Sequence, residues 1–159
     1  MSAEELHELI DTLAATPERI AGLVRDLPDS DLRRSSPDGE FSAIENVCHL
    51  RDIEVEGYTA RINRILNEDQ PFLPDIDGGR LAIERNYNGR NLDEALKTFG
   101  GARAENLRTL GNVKPEQLSR AGMLEGVGAV TLEQVLLLMR EHDEGHVDDL
   151  RIIRQRFRQ

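Results

Sequence analysis

Between Thr131 and Phe157 the apolar residues Leu132, Val135, Leu136, Met139, Leu150, Ile153 and Phe157 recur at helical spacing, which makes this segment a long amphipathic helix with one buried face. Two histidines stand in that face. Counting about 100° per residue from Met139, His142 and His146 both fall within roughly 60° of the stripe's centre. Being four apart, they stack one above the other. A buried imidazole must pair both ring nitrogens or lose roughly 1–3 kcal/mol for each group left unsatisfied. It is a poor core filler and a good metal ligand, so the pair points to something bound there.

Three more segments carry helical periodicity. The first runs from about Ala3 to Leu27 through Leu6, Leu9, Ile10, Leu13, Ile20, Leu23 and Val24, with Thr16-Pro17 expected to interrupt it. Pro28 to Glu40 reads as a polar connection. Ser42 with Glu45 forms a capping box, so the second helix should run from Ala43 to about Asn67. Asp69 to Gly79 reads as a loop and Arg80 to Tyr87 as a short helix. Asn91 with Glu94 opens a third long helix to Gly111, where Gly100-Gly101 predicts a kink or a close helix contact. Residues 116–130 look mostly irregular. Thr131 with Gln134 caps the fourth helix. No useful β alternation, repeat or second core appears, so the expected fold is all-α: one domain over residues 1–159, a four-helix bundle with long connections.

A third histidine, His49, lies on the second helix. Its apolar stripe runs through Ile44, Val47, Cys48, Val55, Tyr58, Ile62, Ile65 and Leu66, and His49 falls about 120° from the centre, on the flank. Glu45, Asp52 and Glu56 are its neighbours. They could take the second N–H of a ligating imidazole, or they could be plain solvated face. Cys48 adjoins His49 but points into the stripe and reads as core. Tyr58 and Tyr87 read as half-buried packing residues. His7, near the amino terminus with no motif around it, reads as a histidine without a functional role.

Charge and composition narrow the function classes. A formal net charge of −10 argues against nucleic acid as a partner, since such binding draws on Lys and Arg. The late arginines Arg151, Arg154, Arg156 and Arg158 suit a helix C-terminus, whose dipole they offset. No apolar run is long enough for a membrane span, and the acidic start Met1-Ser2-Ala3-Glu4-Glu5 does not resemble a signal peptide. One cysteine allows no internal disulfide, and the expected location is the cytoplasm.

The pattern of Ser42, Glu45, His49, Leu50, Asp52 and Glu54, followed on the last helix by His142 and His146, resembles the DinB-like superfamily, and Asn86-Tyr87 ahead of the third helix agrees. The resemblance spans the whole chain. It implies a four-helix bundle, a homodimer, and a divalent metal held by His49, His142 and His146. Zinc and nickel are the first expectations, with iron and copper also suited to imidazole. It further implies a transferase using a small-molecule thiol on a small electrophile, or alternatively a metal-dependent hydrolase or a metal-binding or helical interaction protein without catalysis. The sequence departs from the common pattern at Phe41, where tryptophan is usual, and at Asp149, where glutamine is usual.

Other metal and nucleophile motifs fit less well. A zincin needs glutamate after its first histidine, and here Asp143 stands there. A di-iron bundle needs Glu-x-x-His pairs, while Glu45 and His49 are four apart. Neither phosphate-loop glycine spacing nor a G-x-S-x-G motif is present. Three histidines would leave an open position on zinc, the arrangement of a catalytic rather than a structural site.

Overall fold

Side-chain caps set where the helices begin. In a computed structural model of the chain, which describes residues 1–158, Ser42 Oγ accepts from the Glu45 N–H while the Glu45 carboxylate accepts from the Ser42 N–H. Thr131 and Gln134 repeat the exchange, and Asn91 accepts from the Glu94 N–H. The long helices are α1 (Ala3–Val24), α3 (Ala43–Asp52) continuing through a π-helical segment (Ile53–Tyr58) into α4 (Thr59–Asn67), α6 (Leu92–Leu110) and α7 (Leu132–Phe157). Short helices α2 (Asp29–Leu32) and α5 (Gly78–Glu84) lie in the connections. α1 packs on α6 and α7, and α3 packs on the same two, giving the expected four-helix bundle. No helix among the described residues is long and apolar enough to cross a membrane.

Part of the 116–130 region is ordered as strand rather than irregular. β2 (Ala121–Leu124) and β3 (Gly128–Thr131) form an antiparallel hairpin, and β1 (Phe72–Leu73) pairs in parallel with β2. Strands of two to four residues are too short for alternation to show. Their inward residues Leu73, Leu124 and Val130 are buried against the bundle.

The apolar interior is two clusters rather than one. Leu13, Tyr58, Ile62, Leu110, Leu136 and Met139 belong to one, and Ile20, Val47, Leu50, Phe99, Val147 and Leu150 to the other. Between them every long helix contributes a buried polar residue: Thr16, Glu54, Arg103 with Asn106, and Asp143. Arg103, 1 % exposed, places its five N–H donors on five acceptors. Nε and Nη2 donate to Glu54 at 2.8 and 2.9 Å. Nη1 and Nη2 donate to Asp143 at 2.8 and 3.0 Å, and Nη1 also donates to the Leu13 carbonyl at 2.8 Å. Thr16 Oγ1 donates to Asp143 and Asn106 Nδ2 to Glu54. Burial opposes the guanidinium's charge, and the bonds to both carboxylates more than offset it, so its pKa stands above the ordinary value.

This layer explains two departures from the periodicity. α1 runs through Pro17 without interruption, because the Leu13 carbonyl that Pro17 cannot serve accepts from Arg103 instead. In the second helix the α-helical count puts Val55 inside, yet Val55 is 41 % exposed and Glu54 1 %. The π turn, with Thr59 N–H bonding back to the Glu54 carbonyl, shifts the phase so that Glu54 reaches Arg103. At Gly100-Gly101 the helix continues unbroken and the close helix contact expected there is not made: a Cβ on Gly100 would stand 3.9 Å from Pro17 Cβ, an ordinary packing distance, and one on Gly101 would meet nothing.

Removing one member of a buried charge network typically costs about 3–5 kcal/mol. Arg103→Met should therefore lower the urea midpoint by a ΔΔG of about that size, and a change under about 1 kcal/mol would show that the layer is dispensable.

Candidate metal centre

The histidines lie next to this layer, His142 directly preceding Asp143. His49 projects from the last turn of α3, and His142 and His146 come from consecutive turns of α7. One ring nitrogen from each lies within 4.8 Å of the other two, and the Nε2 atoms of His49 and His142 are 3.0 Å apart. The flank position of His49 serves this meeting, because that flank faces α7. Two nitrogens each about 2.0–2.1 Å from a zinc ion stand roughly 3 Å apart, so the spacing fits a shared divalent ion.

Hydrogen bonding around the rings favours the same reading. Asn46 Nδ2 donates to the Ser42 carbonyl, so its Oδ1, 2.7 Å from His146 Nδ1, is the acceptor there. That puts the proton of His146 on Nδ1 and leaves Nε2 as the ligand. The Nδ1 atoms of His49 and His142 are buried without a protein partner, while their Nε2 atoms face each other. A proton between the two Nε2 atoms would relieve that pair alone; a cation also accounts for the third ring converging on the same point.

Packing fixes the rings. A Cβ on Gly78, at the start of α5, would stand 2.5 Å from His49 Cε1 and 2.6 Å from Nδ1, so only glycine lets this backbone lie against the imidazole. Phe41 packs at a tilt on His49, and the Tyr58 ring meets His142 edge-on. Burial holds all three imidazoles below their ordinary value of 6.5: to about 4 for His49, with the nearby His146 adding, to about 3 for His142, with both other histidines adding, and to about 4 for His146. At neutral pH the rings are uncharged, the form that binds metal.

Four of the carboxylates near these histidines in sequence are engaged elsewhere. Glu45 caps α3, Glu56 pairs with Arg85, and Asp143 pairs with Arg103. Asp52 accepts from Arg51, Arg85 and the Tyr87 hydroxyl; burial works against its charge, but these bonds prevail and its pKa is lowered. None of them takes up a ligand imidazole's second N–H. Asn46 does so for His146, a role that no local signal in the sequence marks. Asp149 lies behind His146, with Oδ2 3.9 Å from Nδ1. Cys48 is core as expected, its thiol pushed up to about 11 by burial. Tyr58 and Tyr87 are fully buried rather than half-buried, and His7 is exposed beside Asp11.

Comparison with known proteins agrees with this geometry. The DinB superfamily model matches residues 12–150. A protein of Oceanobacillus iheyensis that carries the provisional name metal-dependent hydrolase is 22% identical over 153 residues, covering 96% of this chain and 87% of that protein. The structure of YfiT from Bacillus subtilis, described as a probable metal-dependent hydrolase with an unusual four-helix bundle topology, superposes with a TM-score of 0.92 at 21% identity, covering 99% of this chain and 90% of that one.

Two measurements test the centre. Asn46→Ala should weaken zinc binding by about 10–100-fold in competition with a chromogenic chelator, and an unchanged affinity would remove the amide from its orienting role. Chelator-treated protein should lose thermal stability as the pH falls from about 6.5 toward 4. In that window the unfolded chain takes up protons on these histidines that the folded chain refuses, so their contribution is complete above 6.5 and lost on acidification. A flat profile across that window would contradict their burial as neutral rings.

Proposed function

Because the chain belongs to the DinB superfamily, we propose that it is a metal-dependent enzyme that transfers a low-molecular-weight thiol, as its thiolate, to a small electrophile. The observation that carries this is the donor set: three neutral imidazoles, with no carboxylate among the converging ligand atoms of the described residues. Three such donors leave open positions on a divalent ion, the arrangement of catalytic sites. When bound, the ion supplies Lewis acidity that lowers the pKa of a thiol or water beside it.

The chain's own residues favour the thiol. A thiol starts from a pKa of about 8.5 and needs little help to ionise near neutrality, whereas water starts from about 15.7. Glu45, Asp52 and Asp143 are committed to a cap and to ion pairs, and Asp149 stands against Nδ1 of His146, the ring nitrogen on the far side from the ligand atom, so none is placed as a general base for water. In the transfer a sulfur–carbon bond forms as the bond to the leaving group breaks, and the thiol proton passes to solvent. His49 and His142, held by Gly78 and Tyr58, and His146, held by Asn46, keep the ligand atoms in place without rearrangement. Hydrolysis is the second reading, favoured by the names given to the Oceanobacillus and Bacillus relatives.

Protein purified without a histidine tag should contain about one divalent metal per chain by elemental mass spectrometry, and His142→Ala/His146→Ala should contain none. Thiol consumption with an alkylating electrophile should vanish on chelation and return with metal. Ester hydrolysis with no thiol dependence, restored the same way, would favour the second reading; no metal uptake from zinc, nickel or iron would end both.

A further inference from the structure

Arg61 stands out among the buried cations. Arg51, Arg103 and Arg154 are similarly enclosed, and each donates hydrogen bonds to a carboxylate. The Arg61 side chain is only 11 % exposed, yet it makes no hydrogen bond among the described residues, and its Nε is fully buried without a partner. Its nearest carboxylate is Asp75 at 4.0 Å, a mostly exposed side chain at the outer limit of an ion pair. A guanidinium has five donors in a planar fork suited to a carboxylate. Leaving such a group enclosed and unmatched is unfavourable unless something else completes it.

Its position says what that something accompanies. Side chains on a helix lean toward its N-terminus, and Arg61 leans back over Gly57, where a Cβ would come within 3.8 Å of its Cζ. The missing side chain leaves the guanidinium room on the histidine-bearing half of the helix. There it lies over the ring of Tyr58, 5.3 Å from the centroid, and the same ring meets the imidazole of His142. One aromatic ring thus separates an unsatisfied cation from a metal-ligand candidate.

We infer that Arg61 receives a carboxylate of the small molecule that enters the three-histidine centre, so that the molecule is anionic. The assignment rests on the centre holding a divalent metal, and deepens that reading by naming the charge of its ligand. The probe pair is N-acetylcysteine and its carboxamide, which share a thiol and differ in the carboxylate. Titrated calorimetrically into zinc-loaded protein of measured metal content, the carboxylate should bind at least about tenfold more tightly than the amide, a difference characteristic of one charge-assisted pair. Arg61→Met should bring that ratio close to one while leaving zinc content and amide affinity unchanged, and Arg61→Lys should keep part of the preference. A ratio near one in the unaltered protein, or a ratio that survives Arg61→Met, overturns the assignment and leaves the metal reading standing. Failure to take up zinc is seen before any probe is added, and overturns the metal reading together with this one.

Discussion

The saturation of Arg103 is the constraint on which the bundle depends. Taking a guanidinium and two carboxylates out of water carries a desolvation penalty of several kcal/mol per ion, and only near-complete hydrogen bonding offsets it. All five N–H groups of Arg103 are used, and the acceptors come from α1, the π segment and α7, while Arg103 itself stands on α6. No member can shift along its helix without stranding a buried charge. The apolar residues on either side tolerate approximate packing; the polar layer fixes the register of the four helices against one another.

The histidine cluster inherits that register. Asp143, held by Arg103 and Thr16, directly follows His142, and Glu54 lies little more than a turn beyond His49. Bonds made by Asp143 on the inward face of α7 therefore hold the neighbouring imidazoles at ligand spacing before any ion binds. Such preorganisation reduces the conformational entropy lost on binding. It also limits the carboxylates beside the ligand rings: Glu45, Asp52, Glu56 and Asp143 are spent on a cap and on ion pairs, Asp149 stands 3.9 Å from His146 Nδ1, and an amide and a glycine backbone hold the rings.

Much of the fold was legible because capping residues and 3.6-residue periodicity act locally. Ser42, Asn91 and Thr131 marked helix starts correctly, and the stripe through Leu132 to Ile153 identified the buried face of α7. The histidine pair was legible for the same reason, and His49 through the family pattern rather than its angle on the helix. What escaped was non-local. Asp143 occupies the middle of the α7 seam, where a carboxylate makes sense only once Arg103 is known to face it. The exchange of Val55 for Glu54 inside needed the π turn, and the strands of the small sheet were too short to carry a pattern. Asn46, Gly78 and Arg61 owe their significance to neighbours distant in sequence, and none carries a local signature.

The bond from Arg103 to the Leu13 carbonyl has an evolutionary consequence. Pro17 is tolerated in the interior of α1 because a side chain on another helix supplies the donor that the proline lacks. The two positions are therefore energetically coupled. In a lineage with an ordinary residue at 17, loss of the arginine leaves the carbonyl served by its own helix; in this one it leaves the carbonyl orphaned as well. The proline thus raises the penalty for every later change at position 103, and the order in which the two residues were acquired governs which substitutions remain open to the chain.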